Sequence, residues 1–402
     1  MEIIIGNAGK GVRSDCQIKF INKNSGGRKI EINSKVSALF GDDINELCVK
    51  MLDYYDIKHC ELYLEDSGAL DFVISARIEA AIRKATGSEK EYLPDMISEN
   101  IYDIKPDNFR FSRLYLPGNN PKMMINAGIH KPSGIILDLE DSVAPDKKYE
   151  ARFLVRNALR KIDFYGAERM VRINQGEMGV EDLSFIIPHH VHTLLIPKCE
   201  NPEYIQMLDE EIDKLRQKHS VNQPVYYMPI IESALGIENA YNIAKASGNV
   251  VAMAIGLEDF TADLGVQRTK EATESFYART RLVNACKAAG IQAIDSVFSD
   301  VADSEGLLEN VKISKSLGFE GMGCIHPRQI PIIHQGYAPE TNEIEKAKKI
   351  VLAFEEANAK GLGVVSLGSK MIDPPVVKRA QRTIELAVKL GLISNEWRNN
   401  NE

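Results

Sequence analysis

Short apolar segments recur along residues 113–327, and longer segments with helical spacing of their apolar residues separate them. Eight of these apolar segments read as strands, namely RLYLP (113–117), GIILDLED (134–141), RMVRIN (169–174), HTLLIPK (192–198), VYYMPIIES (225–233), VVAMAIGLED (250–259), IQAIDSV (291–297) and GMGCIHP (321–327). Runs that are apolar on both faces are typical of parallel sheets, which helices cover on both sides. Eight strands that alternate with helices predict an α/β fold of the (β/α)8 TIM barrel class. A doubly wound sheet is the alternative, but it usually has fewer strands.

Two further parts flank the predicted barrel. Residues 1–86 combine strand-like segments (CQIKFI, RKIEIN, HCELYLED) with two segments of helical periodicity, and they predict a small α+β domain. The polar stretch 87–112 contains two prolines and shows no sustained period, which is typical of a linker. After the eighth strand, two amphipathic helices surround LGVVSLGSKMIDPP. We expect this C-terminal helical flap to act as a lid, so that residues 113–402 form the barrel with its lid.

The charge and hydropathy of the chain argue against two classes of partner. The formal net charge of −8 is unfavourable for a nucleic-acid surface, and no apolar run approaches the ~18 residues that cross a membrane. The first residues lack the apolar segment of a signal peptide. The six cysteines are scattered without a C-x-x-C pair, so we expect reduced, buried thiols. These features predict a cytoplasmic protein that binds neither nucleic acid nor membrane.

Polar residues occur at the carboxyl ends of seven of the eight predicted strands. They are, in chain order, Asp138, Glu140, Asp141, Arg172, Asn174, Lys198, Glu232, Glu258, Asp259, Asp295 and His326. A single polar residue in such a position can simply cap a loop. The active sites of (β/α)8 barrels lie at this end of the strands, however, so polar ends on seven strands predict a catalytic site there.

The carboxylates of this rim predict a metal site. Glu232 and Asp259 follow neighbouring strands and can meet at one point. Oxygen ligands suit a hard cation such as Mg²⁺, which takes one or two carboxylates and leaves its other positions to water and substrate. Glu258 is expected to point the opposite way along the strand pleat, unless the strand has already ended. The histidines of HHVH (189–192) precede the fourth strand, and we expect a solvated loop there rather than a second metal site.

Arg172 adds a fixed positive charge to the predicted rim. A guanidinium beside a metal can hold a carboxylate through two hydrogen bonds or stabilise an enolate oxygen. An arginine and a Lewis acid together provide what enolate chemistry on an acidic substrate needs. The alternative is a surface ion pair without a catalytic role.

Seven sequence blocks, in order along the chain, resemble one known family. They are RLYLPGNNPKMM, ILDLEDSVAPDKKYEAR, VRIN, PIIESALGIENA, AIGLEDF, HPRQI and GLGVVSLGSKMIDPPVVKRA, and they span about residues 110–393. This set is similar to the β subunits of citrate lyase, in the HpcH/HpaI aldolase group that also includes malyl-CoA and citramalyl-CoA lyases.

The resemblance implies a Mg²⁺-dependent carbon–carbon lyase that acts on 3-hydroxyacyl thioesters. By the same resemblance, Glu232 and Asp259 bind the metal and Arg172 binds the substrate. The lid aspartate of the family corresponds to Asp373, within KMIDPP. It implies a catalytic acid that reaches the site of a neighbouring subunit, and therefore a homo-oligomer.

The N-terminal domain resembles a second protein of the same system. AGKGVRSD, GDDINELCVKMLDYYDI and DSGALDFVISARIEAAIRKATG are similar to the acyl carrier protein, or γ subunit, of citrate lyase, over about residues 1–86. That family carries a phosphoribosyl-dephospho-CoA group, 2'-(5''-triphosphoribosyl)-3'-dephospho-CoA, on one serine, which corresponds to Ser14. Without the resemblance, Ser14 is an ordinary polar loop residue. The glycines of GNAGKG lack the spacing of a phosphate-binding loop.

Both resemblances imply one enzyme whose carrier and lyase share a chain, an arrangement that raises the effective concentration of the tethered thioester. The leading interpretation is cleavage of a citryl-carrier thioester to oxaloacetate and acetyl-carrier, with a citrate lyase α (acyl transferase) subunit as partner. The hydroxyacid stays open, because the family commonly has asparagine where this chain has His326. A citramalyl or malyl thioester is the alternative substrate. An inactive carrier or scaffold protein is the alternative from another class, and the presence of Glu232 and Asp259 disfavours it.

Overall fold

The computed structural model of the chain describes residues 2–359, 365–367 and 370–398. These residues divide into two compact units, of which the first ends at Ile330 and the second begins at Pro331. The first unit contains a small four-stranded sheet with two helices and a separate sheet of eight strands. The second contains two long helices and a two-stranded sheet.

The N-terminal part of the first unit is a small α+β domain, as predicted. Its elements are β1 (Glu2–Gly6), β2 (Cys16–Asn22), β3 (Arg28–Ser34), α1 (Ser37–Tyr54), β4 (Cys60–Asp66) and α2 (Asp71–Thr86). The strands lie in the order β1-β2-β4-β3, in which β3 and β4 are parallel and the other neighbours antiparallel. Because side chains alternate across a strand, Cys16, Ile18 and Phe20 of β2 all face the core. Gly87 ends α2 in the left-handed conformation, with φ of 71°.

Eight parallel strands confirm the predicted (β/α)8 barrel. They are β5 (Ser112–Pro117), β6 (Gly134–Asp138), β7 (Glu168–Arg172), β8 (Thr193–Ile196), β9 (Tyr226–Ile231), β10 (Ala252–Ile255), β11 (Gln292–Ile294) and β12 (Met322–Cys324). Neighbouring strands in the sheet follow the order β11-β10-β9-β8-β7-β6-β5-β12. A parallel bridge between Asp295, which follows β11, and Met322 of β12 closes the ring. Inward-facing side chains such as Ile136, Met170 and Leu195 fill the interior. The barrel interior is therefore a packed apolar core, and a site must lie at its rim.

Helices follow the barrel strands. They are α3 (Pro121–Met124), α4 (Lys148–Lys161), α5 (Gly176–Ile186), α6 (Pro202–His219), α7 (Ala234–Ala244), α8 (Leu257–Asp263), α9 (Phe276–Ala289), α10 (Ser304–Leu317) and α11 (Gln329–Tyr337). Side chains cap three of them, since Asn201, Ser233 and Asp303 each accept a hydrogen bond from a backbone N–H in the first turn. Residues that directly follow each strand thus lie at the carboxyl rim, where the helices begin.

Besides most of α11, the second unit contains α12 (Thr341–Ala359), β13 (Val365–Leu367), β14 (Lys370–Ile372) and α13 (Pro374–Lys389). The strands form an antiparallel pair, and Ala347, Val351, Ala380, Ile384 and Trp397 form an apolar cluster. Residues 362–364 and 368–369 of the segment LGVVSLGSKMIDPP lie outside the described residues.

The prediction of a solvated loop at HHVH is wrong for two of its histidines. His189 and His192 are each only 2% exposed. His192 accepts a hydrogen bond at Nδ1 from the backbone N–H of Arg169, at 3.1 Å. Its Nε2 lies 2.8 Å from the carbonyl oxygen of Tyr102, in the segment that precedes the barrel. Burial and the charge of Arg169 lower the pKa of His192 to about 3, so the ring is a neutral structural group.

The predicted state of the cysteines is confirmed. All six are free thiols and all are buried. Burial raises the pKa of Cys199 and of Cys324 to about 12, so neither is a reactive thiolate. Across the described residues, no helix combines the length and apolar character that a membrane crossing requires.

Candidate active site

Arg172 is held at the carboxyl rim by a pair of carboxylates. It is the last residue of β7, and Asp138 is the last residue of the neighbouring β6. Its Nε and Nη2 donate to the two oxygens of Asp138 at 2.6 and 2.7 Å, and its Nη1 lies 2.9 Å from Glu140 Oε2. The guanidinium also lies over the ring of Tyr115, 5.4 Å from the ring centre. Arg172 therefore has one fixed orientation.

The electrostatics of this pair favour its charged form. Burial alone would lower the pKa of Arg172, but the hydrogen bonds and charge of Asp138 raise that pKa above its usual value. Burial would raise the pKa of Asp138, and the hydrogen bonds from Arg172 instead bring it below the usual value. The Arg172 side chain is only 13% exposed, so its ion pair is not at the surface, and its catalytic role stays a prediction. The pair is largely shielded from water, and its two parallel hydrogen bonds are of the strong, charge-assisted type.

Glu232 and Asp259 do meet, as the sequence predicts. Glu232 directly follows β9 and is 5% exposed. Burial raises the pKa of Glu232 to about 8, and the hydrogen bond and negative charge of Asp259 contribute in the same direction. Gly256 makes room for this side chain, because a Cβ at Gly256 would lie 2.7 Å from Glu232 Cγ. A raised pKa favours the protonated form of Glu232 in the metal-free protein, and a bound cation would displace that proton.

The segment that carries Asp259 is a helix turn and not a strand end. Strand β10 ends at Ile255, where Gly256 N–H makes the last ladder hydrogen bond to Ile231 O, and Phe260 N–H bonds back to Gly256 O. The pattern of VVAMAIGLED thus predicts the strand four residues too long. The side chain of Glu258 points away from the site, since it is exposed and accepts a hydrogen bond from Arg268 Nη1 at 2.6 Å. Asp259 lies in the first turn of α8, where the helix dipole favours an anion.

Lys198 lies among the remaining carboxylates of the rim. Its Nζ is 3.7 Å from one oxygen of each of three carboxylates, those of Glu140, Asp141 and Asp259. Its backbone N–H donates to Glu232 Oε1 at 3.4 Å. The site contains more carboxylates than cations, so it can accept a further positive charge. The ammonium group of Lys198 is carried on a flexible side chain and can approach a carboxylate of the substrate.

The donor set fits a divalent cation that prefers oxygen. Throughout the described part of the chain, no three His, Cys, Asp or Glu side chains are arranged to hold a metal ion. The chain therefore offers a pair, Glu232 and Asp259, and other ligand positions would fall to water and substrate. Two carboxylates are what Mg²⁺ commonly takes, whereas Zn²⁺ sites need more protein ligands.

Other polar residues of the predicted rim have structural partners. Asp295 forms a buried ion pair with Arg279. Asn174 donates through its side-chain amide to Asp182 Oδ2 at 2.9 Å. The ring Nδ1 of His326 accepts a hydrogen bond from the backbone N–H of Arg328 at 3.1 Å. These residues shape the rim through contacts with the protein itself.

Sequence reasoning missed two side chains of the site. Tyr115, on β5, lies beneath Arg172 and packs against the apolar core of the barrel. Gln175 donates from Nε2 to Glu140 Oε1 at 2.7 Å. The inward register of RLYLP could have indicated Tyr115, because Leu114 and Leu116 alternate with it. Gln175 lies in a loop, and no periodic signal identifies it.

Asp373 belongs to the second unit, and Ser14 lies in the N-terminal domain, outside this cluster. Asp373 caps α13, and its Oδ1 accepts a hydrogen bond from the backbone N–H of Val376 at 3.2 Å. Ser14 lies in the loop between β1 and β2 with φ of 57°, in the left-handed region. Its backbone N–H donates to Ser67 O at 3.0 Å, and its side chain is half-buried.

Comparison with known proteins gives consistent matches. Residues 112–327 match the family described as HpcH/HpaI aldolase/citrate lyase, and residues 5–85 match the one described as malonate decarboxylase delta subunit. The chain is 39% identical to citrate lyase subunit beta of Haemophilus influenzae, over 69% of this chain and 97% of that protein. It is 34% identical to the mitochondrial citramalyl-CoA lyase of Homo sapiens, over 69% and 85%. The crystal structure of CitE from Mycobacterium tuberculosis with magnesium, acetoacetate and coenzyme A has a TM-score of 0.58 and 27% identity, over 69% of this chain and 98% of that one.

Proposed function

Because the chain belongs to the HpcH/HpaI aldolase/citrate lyase family, we propose that it is a Mg²⁺-dependent lyase that cleaves citryl thioester on its own carrier domain. The products would be oxaloacetate and an acetyl thioester. The observation that carries the proposal is the contact of buried Glu232 with half-exposed Asp259, beside the fixed guanidinium of Arg172. The similar CitE structure contains magnesium, acetoacetate and coenzyme A. These ligands correspond to the metal, the oxoacid and the thioester carrier of the proposed reaction.

Glu232 and Asp259 would hold the metal, because their carboxyl groups meet at the rim and a cation would displace the proton that the raised pKa of Glu232 favours. Mg²⁺ would supply a Lewis acid that favours loss of the proton from the hydroxyl group of the substrate. The C–C bond next to the new carbonyl would then break, and its electron pair would pass to the thioester as an enolate. Oxaloacetate leaves with the carbonyl, and protonation of the enolate carbon gives the acetyl thioester, so the overall proton count is unchanged.

Arg172 would stabilise the enolate oxygen. Its side chain needs no reorganisation during the reaction, since Asp138 and Glu140 already fix its orientation. Asp373 is the proposed acid that protonates the enolate, from a neighbouring subunit of a homo-oligomer. Its carboxyl group caps a helix, and Pro374 and Pro375 follow it, so the backbone that presents it is stiff.

Ser14 is the proposed attachment site of the phosphoribosyl-dephospho-CoA group. The carrier-family match over residues 5–85 includes Ser14 and supports this assignment. Ser14 lies in the connection 7–15, two residues before β2, and has a left-handed φ of 57° that a strand residue does not adopt. A citrate lyase α subunit is the proposed partner that loads the acyl group onto the carrier.

A citramalyl thioester is the second candidate substrate, and the 34% identity to a citramalyl-CoA lyase favours it. The two substrates differ in the released acid, which is oxaloacetate from citryl and pyruvate from citramalyl thioesters. The test is to incubate the purified chain and Mg²⁺ with citryl-CoA or with citramalyl-CoA and to measure both acids. A higher kcat/KM for citramalyl-CoA would overturn the citryl assignment, and release of neither acid would favour the inactive scaffold.

A further inference from the structure

Helix α2 of the carrier domain is buried on every side. Each residue from Phe72 to Ile82 is buried, although an amphipathic helix normally leaves one face in water. One face packs against β1 and β2 of its own domain, and the other packs against α4 of the barrel. The carrier domain therefore shares a continuous interface with the barrel of the same chain.

Arg77, on α2, connects the Ser14 loop to the barrel. Its side chain is fully buried, and its Nε and Nη2 donate to the two oxygens of Asp15, the neighbour of Ser14, at 3.1 Å each. Its Nη1 donates to Glu150 Oε1 at 3.2 Å, on the first turn of α4. Its Nη2 also donates to the carbonyl oxygen of Asn119 at 3.2 Å. One guanidinium thus binds the serine loop and two separate segments of the barrel.

The same two segments lie at the carboxyl rim. Asn119 follows β5, and its neighbour Gly118 donates its N–H to Asp138 O at 2.7 Å. The side chain of Asp138 in turn holds Arg172. On the other segment, the second oxygen of Glu150 accepts a hydrogen bond from Gly6 N–H at 3.1 Å. The carrier therefore contacts the end of the barrel where the candidate site lies.

A second buried ion pair fixes the orientation of α2 on α4. Arg156 donates from Nη1 and Nη2 to the two oxygens of Glu79 at 2.9 and 2.5 Å, and both side chains are fully buried. Asn157 donates to the carbonyl oxygen of Phe72 at 3.0 Å. A buried charge that loses its partner is strongly unfavourable, so these pairs oppose any separation of the two surfaces.

We propose that the carrier domain is fixed on its own barrel and that Arg77 is the residue that positions the Ser14 loop at the carboxyl rim. The acyl arm then moves, while the domain that carries it stays in place. Tethered substrate would be delivered to the barrel of the same chain, since Arg77 holds the attachment loop beside that barrel. This inference rests on the proposed function of Ser14, but the fixed interface can be measured without any prosthetic group.

The experiment measures the distance between spin labels on the carrier domain and the barrel. Leu39, in α1, and Leu235, at the start of α7, are 80% and 55% exposed, and the native cysteines are all buried. Cysteines at these two positions can therefore be labelled selectively. We expect one narrow distance distribution by pulsed electron paramagnetic resonance for the otherwise native chain. A broad distribution in that chain would overturn the proposal.

Two substitutions, one on the carrier domain and one on the barrel, weaken the interface between them. Arg77→Gln and Glu150→Gln should each broaden the distribution, and Arg28→Gln is the matched control, because Arg28 pairs with Asp53 inside the carrier domain. If Arg77→Gln does not fold, as near-ultraviolet circular dichroism would show, Glu150→Gln provides the test. Distributions that stay as narrow as the native one in the folded variants would also overturn the proposal.

An activity measurement separates this inference from the proposed function. Glu150→Gln should lower turnover of acyl groups loaded on Ser14 by at least about tenfold and leave turnover of free citryl-CoA unchanged. Equal losses on both substrates would contradict a positioning role. If the native chain releases no oxoacid from either substrate, the proposed function fails, while the distance measurement still decides whether the domain is fixed.

Discussion

Proton release on Mg²⁺ binding tests the carboxylate pair quantitatively. Burial and the neighbouring Asp259 raise the pKa of Glu232 to about 8 in the metal-free protein. A carboxyl group must lose its proton before it binds a metal, so protons and Mg²⁺ compete for Glu232. Because this pKa is raised, the competition acts below pH 8 and disappears above it. The apparent affinity for Mg²⁺ should fall about tenfold for each pH unit below 8, and about 100-fold by pH 6.

Isothermal titration calorimetry in buffers of different ionisation enthalpy measures both the affinity and the number of protons released. A group with a pKa of about 8 is about nine-tenths protonated at pH 7, so we expect about 0.9 proton per Mg²⁺ there and about 0.1 at pH 9. Glu232→Gln should bind Mg²⁺ more weakly and release no proton.

Glu258→Gln is the control, because Glu258 is next to Asp259 in the sequence but pairs with Arg268 outside the site. It should keep both the native affinity and the native proton release. Binding of Mg²⁺ at pH 7 without proton release would refute the raised pKa of Glu232. So would a Glu232→Gln chain that releases as many protons as the native one.

Three further substitutions test the assigned roles. Arg172→Lys should lower kcat on citryl-CoA by about 10² to 10³, because one ammonium group cannot reproduce the bidentate contact that fixes the guanidinium, and a near-native kcat would show that Arg172 does not touch the substrate. Ser14→Ala should abolish turnover of carrier-bound substrate and spare cleavage of free citryl-CoA, whereas equal losses would contradict a carrier role. Mixing Asp373→Ala with Asp259→Ala chains should restore partial activity, because some sites of a mixed oligomer combine intact parts. If mixed oligomers form and stay inactive, Asp373 does not act across subunits.

Much of the fold follows from local patterns. The apolar runs around Ile136, Met170 and Ala254 predict strands buried on both faces, and those side chains do fill the barrel. The pattern does not predict burial where contacts with distant parts of the chain determine it. Periodicity suggests one polar face on α2, yet Arg77 and Glu79 are buried there, because partners from distant parts of the chain neutralise them.

The sequence predicts only part of the site, because tertiary contacts also determine which rim side chains face it. Sequence order along a barrel brings Glu232 and Asp259 together, because neighbouring strands end at the same rim. It does not reveal that Gly256 ends the strand and turns Glu258 away. Nor does it show that Lys198 faces the carboxylates, since its left-handed φ of 47° depends on the folded loop. Side-chain direction in turns is a tertiary property, and periodicity does not encode it.

The most direct test of the central claim follows the acyl group on Ser14 by intact-protein mass spectrometry. A chain loaded with the prosthetic group and a citryl group would be kept in EDTA and then given excess Mg²⁺. We predict that its mass falls by that of one oxaloacetate and that an acetyl group remains on the carrier. The same loaded chain with Glu232→Gln should keep its citryl group. Loss of the whole citryl group as citrate, or an unchanged mass in native chain that binds Mg²⁺, would contradict the account.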